Sequence, residues 1–276
     1  MSKSDIITIG HSPDPDDAFM VWALAEGVVH ADDFGIALVA RDIETLNKWA
    51  LADARLEVTA LSAATFARVA DRYWLLRHGA SFGDGYGPIV VAKRPMTLAE
   101  LSGVTVASPG ENTTAHAALR LAAPGVQTVT KAFDKILPLV EKGEVEAGLL
   151  IHEGQITWER SGLHKVVDLG AWWKAETGLP LPLGVNALRK DLGAELGADV
   201  GALLQASIEV GLASRTRALA YARQFGRGIS QEDADTFVRM YVNEMTRDMG
   251  ELGQRAIAEF ARRTGATARI ELAPED

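Results

Sequence analysis

Two successive groups of short apolar runs, most of them followed by a segment with helical spacing, limit this chain to an α/β architecture built on a mostly parallel sheet. The first group predicts a strand at residues 6–9, a loop at 11–17 and a helix over 18–24, with Gly27 as its C-terminal stop. A strand at 36–40 leads to Asp42, an N-cap for a helix over 43–52 on which Ile43, Leu46, Trp49 and Ala50 share one face. A strand at 57–61 then gives way to Ser62 and a helix to about residue 70. After a strand at 87–92 the pattern restarts, with strands at 104–107, 126–130 and 145–151 and helices at 97–101, 113–121 and 135–142. A last strand at 185–188 precedes a helical remainder, in which Ser230-Gln231-Glu232-Asp233 reads as a capping box.

The two crossings between these groups, near 88–93 and 180–188, predict two lobes joined by a double hinge. Residues 1–92 and 186–276 would form one lobe and 93–185 the other, with a cleft between them of the kind that usually takes a small molecule. A length of 276 residues accommodates both. A net charge of -9 and a pI near 5.2 argue against a nucleic-acid surface, though not against a local basic pocket for an anionic small molecule. The absence of cysteine excludes disulfides, thiolate metal sites and a cysteine nucleophile together. Residues 1–5 run into the first strand without an apolar core, and no uninterrupted apolar stretch approaches 18 residues. The expectation is therefore a cytoplasmic protein with no secretory signal and no membrane span.

In open α/β sheets, ligands bind outside the carboxyl ends of the strands. The apolar run 147–151 delivers His152 to such an end, where an imidazole of ordinary pKa about 6.5 can take or give a proton near neutrality; a histidine that simply ends a strand is the plainer reading. The loop His11-Ser12-Pro13-Asp14-Pro15-Asp16-Asp17 follows the first strand. Its carboxylates suit a hard cation, but a helix cap from Ser12, Asp14 or Asp16, with Asp17 complementing the dipole, is the favoured reading. Ser62, Thr113 and Thr114 stand at helix starts, one from each lobe, where open N–H groups and hydroxyls either hold an anion or cap the helix. The glycine-rich Ser81-Phe82-Gly83-Asp84-Gly85-Tyr86-Gly87-Pro88 precedes a strand and lacks a phosphate-loop ending, so it reads as a turn lining the cleft. Trp172-Trp173 could cover an aromatic ligand, with core packing the favoured role. There is no dinucleotide fingerprint, zinc motif or Gly-x-Ser-x-Gly elbow.

Taken together, the His11–Phe19 segment, Asp42-Ile43-Glu44-Thr45-Leu46-Asn47, the 81–88 turn, the Gly143–Glu153 segment and Leu179-Pro180-Leu181-Pro182-Leu183-Gly184 resemble the menaquinone-biosynthesis enzymes of the futalosine route. The likeness runs from about residue 6 to 190. It implies a two-lobed, periplasmic-binding-protein-like (type 2) fold used as an enzyme, with no metal, nucleotide or redox cofactor. Within the family, the Leu-Ile-His-Glu strand end resembles the branch that acts on cyclic dehypoxanthine futalosine and releases 1,4-dihydroxy-6-naphthoate. That likeness makes His152 the proton acceptor, and Ala60, Leu61, Ser62, Thr113 and Thr114 the substrate-binding residues. Some members carry a lysine where Ala60 stands, so a substrate carboxylate would be held differently here. Glu153 and Asp168 are the candidates for orienting His152. The alternatives are chorismate dehydration on the same fold, or a non-catalytic cytoplasmic solute receptor in which His152 is only a ligand contact.

Overall fold

Two mixed sheets account for the two groups of strands. The computed structural model describes residues 6–226 and 229–275; residues 1–5, on which the reading of the amino terminus rests, lie outside them. In the first group, β1 (Ile6–His11), α1 (Pro15–Ala25), β2 (Gly35–Ala40), α2 (Ile43–Ala52), β3 (Val58–Ser62), α3 (Ala63–Val69), β4 (Tyr73–Leu75) and β5 (Ser81–Gly83) follow in order. The second group holds β6 (Ile89–Ala92), β7 (Thr105–Ser108), α4 (Thr114–Ala122), β8 (Gln127–Thr130), α5 (Phe133–Lys142), β9 (Ala147–Leu150), α6 (Gly154–Thr157), β10 (His164–Asp168) and α7 (Leu169–Thr177). The chain returns through β11 (Leu181–Arg189) and ends in α8 (Ala194–Ala213), α9 (Arg215–Ala222), α10 (Gln231–Tyr241), α11 (Glu244–Arg247) and α12 (Gly250–Arg263).

The first sheet has the order β2-β1-β3-β11-β4, with β5 also on β11; the second has the order β10-β6-β9-β7-β8. β1 runs parallel to β2 and β3, and β7 runs parallel to β8 and β9. The expected predominance of parallel pairs is corrected by the two strands next to the crossings. β11 is antiparallel to β3, β4 and β5, and β6 is antiparallel to β9 and β10, because each returns against the direction of its lobe's other strands. β6, expected to close the first lobe, hydrogen-bonds wholly within the second sheet, and the expected boundary at 185/186 falls inside β11, which hydrogen-bonds within the first.

α1 is apolar all round because it is enclosed: residues 18–23 are buried and pack against α8, α9 and α10. Among the described residues, α8 is the one helix long and apolar enough to cross a membrane. In the fold it sets Val200, Leu204 and Ile208 into the core, and Ser207 Oγ donates to the Met20 carbonyl at 2.7 Å. α2 starts at its expected cap, Asp42, whose carboxylate accepts from Thr45 N–H at 3.0 Å. Its buried face is rotated from the expected one: Leu46, Asn47 and Ala50 point inward, while Trp49 lies under the guanidinium groups of Arg41 and Arg55. Trp173 is core, against Phe260, with its indole N–H donating to the Pro180 carbonyl at 3.2 Å.

Candidate active site

The ends of β1 and β3 in one sheet and of β7 and β9 in the other lead into the cleft lining, and those of β1 and β9 bring its central pair together. Beyond β9 the chain turns at His152 with φ of 52°, a left-handed conformation rare for a residue with a side chain and common at functional sites. The turn swings the imidazole toward the loop after β1, where Asp14 caps α1 by accepting from Asp17 N–H at 3.3 Å. His152 Nδ1 lies 2.9 Å from Asp14 Oδ2, with the two side chains 13% and 3% exposed. The orienting carboxylate is thus Asp14, 138 positions upstream. Asp168, expected as a candidate, caps α7 instead, accepting from Gly170 N–H at 2.9 Å and Ala171 N–H at 3.0 Å; Glu153 opens α6. The edge of the Phe133 ring packs on the imidazole, with centroids 4.7 Å apart. With its amide oriented to satisfy its neighbours, Gln155 accepts from His152 N–H and donates to the Gly87 carbonyl and the Tyr241 hydroxyl.

Three carboxylates share this loop, Asp14 and Asp16 buried and Asp17 half-buried, and their like charges disfavour ionising all three beside one imidazole. Burial alone would push the Asp14 carboxyl up. The facing His152 and hydrogen bonds from His152, Asp16 and Ser12 outweigh it and hold Asp14 well below the usual carboxylate range. Burial and the charges of Asp14 and Asp17 push Asp16 far up. Burial and the Asp14 charge push Asp17 up to about 8, although its Oδ2 accepts from Ser12 N–H at 2.6 Å. The loop therefore favours an ionised Asp14, with the Asp16 and Asp17 carboxyls holding their protons more tightly than usual. Among the described residues, Asp14, Asp16 and His152 form the one grouping with metal-like spacing, their donor atoms lying within 4.8 Å of one another. The imidazole nitrogen facing the carboxylates is already hydrogen-bonded to Asp14, which is the geometry of a proton-sharing cluster.

A stability consequence follows for Asp17. The folded state holds a proton that the unfolded chain releases near 3.8, so the stabilisation is complete below that pH and is lost as pH rises toward about 8. Asp17→Asn keeps an oxygen for Ser12 N–H and has no proton to lose. The melting temperature of the wild type should therefore fall relative to that of Asp17→Asn between about pH 4 and pH 8. A constant difference across this range in thermal melts would contradict the assignment.

The structure brings Ala60, Leu61, Ser62, Thr113, Thr114 and His152 to the same cleft, together with Asp14, Asp16, Asp17, Gln155 and Tyr241. The cleft contains about 670 Å³ of space outside the atoms, open mouth included. Ile43, Leu61, Ile151, Leu183 and Phe237 give it an apolar wall. The threonine hydroxyls are already engaged. Thr113 Oγ1 caps α4, accepting from His116 N–H at 3.1 Å and donating to the Gly110 carbonyl at 2.8 Å. Thr114 Oγ1 ties the two lobes, donating to the Leu183 carbonyl at 2.8 Å and accepting from Ala64 N–H at 3.2 Å. What α4 offers a ligand is the backbone N–H groups of its first turn. Ser62 is set by Asn47, fully buried, whose amide accepts from Ser62 N–H at 2.9 Å and donates to Ser62 Oγ at 3.0 Å. Asn47 was missed from sequence; its signal was a polar residue beside Leu46 on the inward face of an amphipathic helix. Further interlobe ties come from Glu44, which accepts from Asn112 N–H and Nδ2, and from the bidentate Arg160–Asp233 pair.

Two mixed α/β sheets, a chain that crosses twice between them and a cleft at the strand ends define the class of two-lobed binding-protein folds. The alkanesulfonate-binding protein SsuA from Xanthomonas axonopodis superposes on 98% of this chain and 97% of its own with a TM-score of 0.70; its 10% identity makes this a likeness of fold. The chain belongs to the menaquinone biosynthesis family, whose model matches residues 7–266. A relative named 1,4-dihydroxy-6-naphtoate synthase from Thermus thermophilus is 46% identical over 256 residues, 93% of each chain. The crystal structure of protein AF1704 from Archaeoglobus fulgidus is 43% identical, covers 95% of this chain and 97% of its own, and has a TM-score of 0.90.

Proposed function

We propose that this chain is a lyase that converts cyclic dehypoxanthine futalosine to 1,4-dihydroxy-6-naphthoate in menaquinone biosynthesis, with His152 as the general base. The observation that carries this reading is the buried His152–Asp14 pair at the meeting of two strand ends, on a chain 46% identical to a 1,4-dihydroxy-6-naphtoate synthase. The apolar wall suits a fused ring. Ser62 and the first-turn N–H groups of α4 suit its carboxylate, a role for which Ala60 supplies no cation. Substrate enters as the lobes part about the crossings near 84–88 and 178–180. Their closing excludes water and strengthens each polar contact. His152 then removes a carbon-bound proton, and the eliminations that follow release the sugar-derived fragment and leave the aromatic product. The cytoplasm is the compartment proposed with this reading.

The test is mass-spectrometric detection of 1,4-dihydroxy-6-naphthoate after mixing purified protein with cyclic dehypoxanthine futalosine. Unchanged substrate, under conditions where a known synthase works, would overturn the proposal; loss of chorismate instead would assign the dehydratase reaction.

Asp14→Asn separates positioning from folding. Asn caps helices as well as Asp does, so α1 should keep its start, while the imidazole loses the charge that orients it and stabilises its protonated form. We expect kcat to fall roughly 10²-fold with KM little changed. A rise in KM at constant kcat would make Asp14 a binding residue.

A further inference from the structure

The geometry points to Asp16 as the proton donor of the reaction, a carboxylic acid set beside the His152–Asp14 pair and facing the same cleft. This rests on the lyase reading and adds its second half: a base alone takes a proton from the substrate, and the departing fragment needs one.

Asp16 lies in the first turn of α1, 7% exposed, and lines the cleft. Its Oδ1 is buried and makes no hydrogen bond among the described residues. The charged and titratable groups that face it are Asp14 and Asp17 from its own loop, His152 from the end of β9, and the Tyr241 hydroxyl from α10. Asp14 keeps its charge against His152 Nδ1, 2.9 Å away, an N–H that the neutral imidazole of a general base supplies. Like charges this close disfavour ionising a second and third carboxylate in the same loop. Asp17 Oδ2 is engaged by Ser12 N–H and Asp16 also meets Asp14, which leaves Asp16 Oδ1 as the carboxyl oxygen with hydrogen-bonding capacity for a ligand.

The step balances without any other reactant. The substrate C–H bond breaks and its proton passes to His152. The electron pair left behind drives cleavage of the bond to the fragment, whose departing pair takes the Asp16 proton. One proton leaves the substrate and one returns, and no electrons are gained or lost. After product release both groups exchange protons with solvent.

Asp16→Asn keeps the shape and removes the acid. Expected are a fall in kcat of about 10²–10⁴-fold and loss of the alkaline limb of the kcat–pH profile, with KM unchanged. Retention of kcat within a few-fold, or a full alkaline limb in the variant, would overturn the assignment. Infrared spectra at neutral pH give a readout independent of turnover. The wild type should show a protonated-carboxyl C=O band that Asp16→Asn lacks and Asp17→Asn retains; if Asp16→Asn loses no band, the acid is elsewhere. A wild type that does not turn over cyclic dehypoxanthine futalosine would remove the lyase reading, while the infrared result would still decide whether Asp16 holds a proton.

Discussion

Replacing His152 by Asn should give a protein that folds and binds ligand as the wild type does but turns over at least about 10²-fold more slowly. The choice of Asn follows from the backbone. At φ of 52° most side chains are strained, whereas Asn adopts this conformation more readily than other residues with a side chain. Its amide can also donate to Asp14 Oδ2, which the imidazole now meets at 2.9 Å, so the buried carboxylate keeps a partner. What Asn cannot do is accept a proton from carbon. His152→Ala would be less clean, because it removes the partner at Asp14 Oδ2 and puts alanine at a positive φ. Single-turnover product formation by His152→Asn, beside ligand-induced thermal shifts, checks the prediction. Turnover within tenfold of the wild type would mean that another group is the base, and loss of the thermal shift would mean that His152 acts in binding.

Gly170→Ala should destabilise the fold by about 3 kcal/mol or more, at the upper end for overpacking substitutions. A Cβ at Gly170 would lie 1.9 Å from the Tyr86 carbonyl oxygen, 2.1 Å from its carbon and 2.7 Å from Gly87 N. All three are backbone atoms, so no rotamer change relieves the clash, and either the start of α7 or the 86–87 turn must move. At about 2–4 °C per kcal/mol for a chain of this size, the melting temperature should drop by roughly 6–12 °C. Activity should fall with it, because the same turn supplies the Gly87 carbonyl that fixes Gln155 beside His152. Differential scanning calorimetry and kcat on the same samples test both halves. A variant melting within 2 °C of the wild type would show that this crossing yields easily, as a hinge would.

Much of this layout is legible in the residues. The alternation of apolar runs and helical spacing locates most elements of the two groups, since burial of one face repeats with a local period, but it does not give β4, β5, α6, β10 or α7, and the 81–88 segment read as a turn begins with β5. Asp42 and Ser230 mark helix starts correctly because a cap is a bond across three residues. The resemblance adds the two-lobed fold and gathers Ser62, Thr113, Thr114 and His152, all of which line one cleft. Less legible were strand partners. β6 reads as the end of one group, yet it pairs with β9 and β10, which lie more than 50 residues further on. The face of α2 was misread by one position, because Trp49 packs under arginines at the surface while polar Asn47 is needed inside to hold Ser62.

By itself, then, the sequence determined the α/β alternation, the helix starts at Asp42 and Ser230, and that His152 stands just beyond a strand. Only the tertiary structure decided that Asp14 is its partner, that the Thr113 and Thr114 hydroxyls are spent on the fold, and that burial beside Asp14 pushes the Asp16 and Asp17 carboxyls up. The physical reason is that caps and periodicity act over a few residues along the chain. A carboxylate's charge state depends instead on which groups lie within a few ångströms in space and how much water has been removed, and both are set when distant segments meet.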